Sequence, residues 1–402
     1  MTTDDLVRLK EHFDHTSIVH SENALNDCSV LRERFPITHS DQHGGFWVVS
    51  KYDTIVKLLR QPEIFGSGDG IVIPPLAFPL RGIPTESDEP KHAEYRAVFM
   101  PFLTPKATAG YEPLVRQRVT SLLDTFIGDG KADWMNQFAR RLPGQVVAGF
   151  FGFSADDGER CYEWISDIVK APALDHPSAS ASIQRLVQFM TDTIAQAKSH
   201  PGDGLISAIV SHTTESGAQF SDEECIGLVF TGIGGALETT VSALASSVML
   251  LDRFPAARAE LIDNPNLVSN AVEEVLRMES PVHCPARTVR RDVTVDGVTF
   301  REGDRVLLMF ASGNYDDEKF ADADTFNLHR GRNPQLAFGH GIHRCVGAPL
   351  ATLEIHVTIE EILRRIPDFR VVSKSCPAMH GGGAWGLDAL DIEFTPGQTS
   401  GS

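Results

Sequence analysis

No C-x-x-C pair and no dense cysteine cluster occurs in the 402 residues; Cys28, Cys161, Cys225, Cys284, Cys345 and Cys376 stand far apart. That spacing excludes a disulfide framework and fits free thiols in a reducing compartment. Nor is there a Lys/Arg-rich run. The chain has 36 Lys+Arg against 54 Asp+Glu, a formal charge of −18, which argues against nucleic acid or an anionic membrane surface as the main partner. Neither G-x-G-x-x-G nor G-x-x-x-x-G-K-[ST] is found, and no βαβα alternation would carry them, so flavin, nicotinamide and ATP domains are not indicated. The opening Met1-Thr2-Thr3-Asp4-Asp5 has no apolar run or small-residue cleavage site, and the expected location is the cytoplasm. Without an internal repeat or a linker-like tract, residues 1–396 read as one domain, and Gly397 to Ser402 as a disordered tail.

What remains is ordinary globular composition, 42% hydrophobic and 22% charged, enough for a sizeable core. Helical periodicity marks Glu112 to Ile127, Ile183 to Ala197, a long segment after Ser221, Asn266 to Arg277 and Leu350 to Ile366. Strand signals are fewer: Phe46 to Val49, and Val289 to Phe310, which alternates and turns at Asp296-Gly297. The fold class is mainly α with a minor β portion. Gly227 to Leu251 carries a single charge, Glu238, and is long enough to span a bilayer. Its six Ser/Thr and a charge near the middle favour a buried helix of a large core instead.

That helix opens on a capping box, Ser221 with Glu224, and runs to Phe254-Pro255, about 32 residues or ~48 Å. Gly232, Gly234 and Gly235 weaken it by roughly 1 kcal/mol each relative to alanine. Glu238 and Thr239 follow in apolar surroundings. Close helix packing at the glycines and a threonine bonded to the preceding turn would explain these residues structurally; so would a function at the helix middle.

The most informative stretch is Phe338-Gly339-His340-Gly341-Ile342-His343-Arg344-Cys345-Val346-Gly347, directly before an apolar-periodic helix. The glycines permit a tight bend around Cys345, and a helix start beside the sulfur favours thiolate. An inert cysteine in a turn remains compatible with these residues. So does zinc held by His340, His343 and Cys345, although no further Cys/His pair completes such a site.

This ten-residue pattern resembles the haem-binding signature of the cytochrome P-450 family, in which the cysteine is the axial ligand of haem iron. Other matches follow in the family's order, from about Trp47 to Phe394. Glu274-Val275-Leu276-Arg277 resembles its E-x-x-R helix, and Phe326 to Arg330 the segment supplying a second arginine, so that Glu274, Arg277 and Arg330 would form a structural network. Gly235-Ala236-Leu237-Glu238-Thr239 resembles the distal oxygen-binding motif, with alanine for the commoner glycine at position 236.

The resemblance implies a haem b between the long helix and the cysteine loop and helix. Cys345 would ligate the iron and Phe338 would contact the cofactor. Propionate partners would be His92 and Arg96, whose H-x-x-x-R spacing puts both on one helical face, together with Arg287 and His340. Glu238 and Thr239 would relay protons to dioxygen, and Leu80, Thr231, Gly234, His283 and Ala384 would wall the substrate pocket.

The implied activity is monooxygenation of a hydrophobic C–H bond, with electrons from a separate ferredoxin and its reductase and NAD(P)H used only through them. Arg344 is the candidate docking cation. A peroxide-driven peroxygenase and a non-catalytic haem sensor or carrier are the rivals. Ile83-Pro84-Thr85 and Arg365 to Phe369 are similar to bacterial camphor and cineole hydroxylases, and the segment Ile71 to Leu80 is strongly apolar, which suits a terpenoid, aromatic or lipid-like substrate. Leu80 stands where the camphor enzyme has a tyrosine, which speaks against camphor itself. The expected state is a monomer without nucleic acid or membrane.

Overall fold

A computed structural model describes residues 2–75, 80–170, 176–214, 217–380 and 384–400. At its centre lies the helix Asp222–Arg253, 32 residues without a break. The capping box forms: Ser221 Oγ accepts from the Glu224 amide at 3.2 Å, and Glu224 Oε2 accepts from the Ser221 amide at 2.8 Å. Pro255 then starts the next helix, where its missing N–H removes nothing. Leu228, Val229, Ile233, Leu237, Leu244 and Leu250 are fully buried against the helices Leu142–Phe151, Ala155–Lys170, Val268–Glu279 and Ala348–Arg365. The helix is long and apolar enough to cross a membrane; its hydropathy is accounted for by the chain's own helices, which cover it. Gly232 is needed for that packing, since a Cβ there would stand 2.5 Å from Phe151 Cζ. The other expected helices are Glu112–Asp124, Pro177–Ser199, Val268–Glu279 and Ala348–Arg365.

The largest sheet has five strands in the order Ile37–Ser40, Phe46–Val49, Arg305–Leu308, Ala286–Val289, Phe65–Gly66. Trp47 to Val49 run parallel to Val306 to Leu308, while Ala286 to Thr288 pair antiparallel with Arg305 to Leu307. The Asp-Gly turn is real: Val293–Val295 pairs with Val298–Phe300, with φ of 50° at Asp296 and 83° at Gly297, the positive pair a tight hairpin requires. The expected strand run to Phe310 is corrected in its second half. Arg305–Leu308 leaves the hairpin for the five-stranded sheet, and Phe310 begins a short helix. Gly397 to Ser400 also depart from a free tail: Gly397 N donates to Ile127 O at 2.9 Å, Arg365 Nη2 to Gln398 O at 2.9 Å, and Ser400 N to Asp124 at 3.1 Å.

Candidate active site

The cysteine loop is bent as its glycines allow. Gly339 and Gly341 have φ of 69° and 74°, and a Cβ on Gly341 would lie 2.4 Å from the Leu59 carbonyl oxygen. The Cys345 amide closes the loop by donating to Phe338 O at 2.8 Å, and the helix Ala348–Arg365 begins three residues on. Burial raises the thiol pKa; the amides of Gly347 and Ala348 and the charges of Arg96 and Arg344 lower it, and burial prevails. The residue as a whole is nonetheless exposed, and a bound cation would favour the thiolate, because ligation displaces the proton.

Cys345 and Phe338 border a cavity of about 410 Å³. The long helix contributes a stripe at four-residue spacing, Thr231, Gly235, Thr239 and Ala243, the spacing of one helical face. A Cβ on Gly235 would meet nothing within 4 Å, so its absence leaves room in the cavity. Thr239 Oγ1 donates to Gly235 O at 2.9 Å. Glu238 lies one residue round the helix and is not part of the cavity wall. Its Oε1 is buried without a hydrogen-bond partner among the described residues, and its charge acts on Tyr162 and His380. Elsewhere the wall is largely apolar, with Phe99, Val147, Phe150, Phe151, Val282 and Phe310.

Cations gather on one side of this wall. His92 and Arg96 share a face of the helix Lys91–Leu103, and Arg287 comes from the strand Ala286–Val289. Among the described residues neither arginine forms an ion pair with a carboxylate. Burial lowers the pKa of Arg96, and Arg287, 6% exposed, is brought down to about 10 by burial, with Asp88 opposing. Its one side-chain hydrogen bond among the described residues is to Ala286 O at 2.7 Å. His92 Nδ1 meets Glu89 at 3.2 Å, while its Nε2 is buried without a partner.

The loop histidine beside this group is His343, whose ring centroid is 4.3 Å from that of His92. Burial, then the charge of Arg287, pulls its pKa to about 3, and its Nε2 too is unpartnered. His340, named from the motif, borders the cavity but is held from outside, where Arg60 Nε donates to its Nε2 at 3.1 Å. Sequence alone could not separate the two histidines, because the contact with His92 is tertiary.

Among the pocket residues named from sequence, Thr231 lines the cavity. Leu80, Gly234, His283 and Ala384 do not. Gly234 points at Ile165, whose Cδ1 lies 3.8 Å from where its Cβ would be. His283 is 4% exposed and stacked on Trp385 at 4.5 Å; Val282 before it lines the cavity instead. Ala384 forms an isolated β-bridge with that same Val282, and Leu80 packs on the helical core. Leu76 to Pro79 of the apolar segment lie outside the described residues; Ile71 and Val72 line the cavity. The four-residue stripe of the long helix would have revealed Gly235 and Ala243.

Behind the cysteine helix, Glu274, Arg277 and Arg330 interlock. Arg277, fully buried, donates from Nε to Glu274 Oε1 at 2.8 Å and from Nη2 to Oε2 at 2.9 Å. Its remaining donors reach Asn314 O at 3.0 Å, Ala323 O at 2.7 Å and Thr325 O at 2.9 Å, so every guanidinium N–H is used. Glu274 also accepts from Arg330 Nε at 2.9 Å, Asn333 Nδ2 at 2.8 Å and the Asn327 amide at 2.9 Å.

Comparison with known proteins supplies an independent finding. The family model described as Cytochrome P450 matches residues 176–377. The chain is similar to a methyl-branched lipid omega-hydroxylase of Mycobacterium bovis, 33% identical over 350 residues, 83% of this chain and 80% of the relative. Its fold is similar to that of CYP109E1 from Bacillus megaterium in complex with testosterone, 28% identical at a TM-score of 0.84, covering 94% of this chain and 100% of that one. A Mycobacterium marinum protein, CYP268A2, in complex with pseudoionone shares the fold at a TM-score of 0.88 and 23% identity, covering 95% and 99% of the two chains.

Proposed function

The chain belongs to the cytochrome P450 family and is a monooxygenase; on that premise we propose that it hydroxylates a C–H bond of a small to medium hydrophobic substrate, using a haem b ligated by Cys345. The residues present fit that cofactor. Among the described residues, half-buried Arg96 and buried Arg287 carry no carboxylate and two imidazole nitrogens have no partner, and all four side chains face a largely apolar cavity that also holds a thiol. Cations so placed are satisfied by an anionic group entering from the cavity. Arg96, Arg287, His92 and His343 would take the two propionates, and Cys345 would give up its proton to ligate iron. When bound, haem on a thiolate activates dioxygen.

Thr239 presents its hydroxyl to the cavity from the middle of the long helix. In this reading the hydroxyl leaves the Gly235 carbonyl to donate a proton into the site. Glu238 behind it, facing Tyr162 and His380, would return that proton from the solvent side. The aromatic and aliphatic wall excludes water and favours a terpenoid, aromatic or lipid-like molecule, in keeping with the lipid and steroid named for the relatives.

The chain has no nucleotide-binding motif, and we assign electron supply to a ferredoxin and its NAD(P)H-dependent reductase in the cytoplasm. Exposed Arg344 stands at a surface groove with Lys57, Arg60 and Arg332, a basic face suited to an acidic donor. The working unit is a single-domain monomer.

The observation that carries this proposal is the thiol of Cys345 sharing one cavity with Thr239 and the unpaired Arg96 and Arg287. Turnover of hydrophobic substrates with ferredoxin, reductase and NAD(P)H tests it. Thr239→Ala is expected to go on consuming oxygen while losing product. Product formed only with peroxide, and equally by Thr239→Ala, would overturn the monooxygenase assignment in favour of a peroxygenase.

A further inference from the structure

Away from the cavity two loops meet, and we propose that Asp14, His15 and His43 form a binding site for a divalent transition metal of the zinc type. Asp14 and His15 lie between the helices Thr3–Glu11 and Ile18–Arg34. His43 comes from the turn Gln42–Gly44, which joins the strands Ile37–Ser40 and Phe46–Val49. One ligand atom from each residue lies within 4.8 Å of the other two. Two imidazoles and a carboxylate are the donor set that zinc takes with a further position left open.

His15 is the second, independent observation. It is fully buried, and neither Nδ1 nor Nε2 has a hydrogen-bond partner among the described residues. The backbone of Ile73 acts on the ring, as do nearby charges, but no bond of sound geometry forms. An imidazole stripped of water needs something to satisfy its nitrogens. Its ring packs edge-on to Phe46 at 5.7 Å and to His43 at 6.0 Å, which places it beside the Asp14–His43 pair.

That pair is held as ligands are held. His43 Nε2 stands 2.9 Å from Asp14 Oδ1, and the same oxygen accepts from the Thr16 amide at 2.9 Å and from Thr16 Oγ1 at 2.7 Å. Thr16 thus fixes the carboxylate from behind, the role outer partners play at metal sites. Among the described residues no hydrogen bond engages Asp14 Oδ2. The His43 side chain is 22% exposed, so an ion can enter from solvent. Metal would tie the N-terminal helices to the edge of the five-stranded sheet, and binding only to the folded chain would raise its stability.

The test uses the haem-loaded protein stripped with a chelator, titrated with Zn2+ by calorimetry, its zinc counted separately from iron by mass spectrometry. One zinc per chain, retained through gel filtration with a raised thermal midpoint, is the expected result. The exposed variant His43→Ala should fold normally yet weaken uptake at least tenfold, and His15→Ala should do the same where it folds. His12→Ala, which breaks the neighbouring surface pair with Asp41 (2.8 Å), should leave uptake unchanged. No stoichiometric zinc in the wild type, equal zinc in His43→Ala, or loss of zinc in His12→Ala would each overturn the site.

Discussion

Arg277 and Arg287 are both buried, 0% and 6% exposed, yet their surroundings differ in kind. Around Arg277 every donor ends on an acceptor, and Glu274 receives five hydrogen bonds in return. Around Arg287, Arg96, His92 and His343 the polar groups are incomplete: among the described residues no carboxylate pairs with either guanidinium, and the Nε2 of each imidazole has no partner. A buried network that closes on itself serves the fold. One left open on the wall of a cavity waits for a ligand, because the chain has already desolvated those groups.

Breaking the closed network should have the largest effect. Arg277→Ala leaves Glu274 buried and charged without its main partner, a loss of about 3–5 kcal/mol. Denaturant titration and soluble yield check it, and a variant of near-normal stability would mean the closed network is dispensable. Opening the other side should behave differently. Arg96→Leu or Arg287→Leu removes a charge that has no carboxylate partner among the described residues, so the fold should hold. Haem retention should fall by roughly 10- to 100-fold, corresponding to about 1.5–3 kcal/mol of lost charge-assisted hydrogen bonding. Haem transfer to an excess of an acceptor globin measures this; unchanged transfer would erase the contrast between the two arginines.

The smallest effect concerns pH. His283 is fully buried against Trp385, its pKa held well below 6.5 by burial first and by His20 and His15 next. The folded protein therefore keeps it neutral while the unfolded chain takes up a proton below pH 6.5. Its share of stability is complete above that pH and is lost as pH falls, by about 1.4 kcal/mol per unit at most. His283→Phe should flatten the fall in denaturation midpoint between pH 6.5 and 5, and an unchanged slope would count against a neutral buried ring.

What could be read from the sequence follows the same division. The long helix, its capping box, the Asp296-Gly297 turn and the Glu274/Arg277 pair are local patterns, legible because neighbours in sequence are neighbours in space. The loop around Cys345 was legible from its glycines. Which histidine joins His92 was not, since His340 and His343 differ only in what the rest of the fold brings to them. His283, Leu80 and Ala384 lie off the cavity wall for the same reason, since wall positions outside the long helix depend on packing that no periodicity encodes; Gly234 differs, because the four-residue stripe of the long helix selects Gly235 instead. The strand Phe65–Gly66, two residues paired with Val289 and Thr288, is likewise too short to announce itself.

The most direct test of the account is the absorption spectrum of the dithionite-reduced protein under carbon monoxide, taken beside Cys345→Ala. A strongly red-shifted Soret band in the wild type, absent from the variant, is the predicted result. A carbonyl band like that of a histidine-ligated globin, no bound haem, or a red-shifted band that survives in Cys345→Ala would contradict ligation by Cys345.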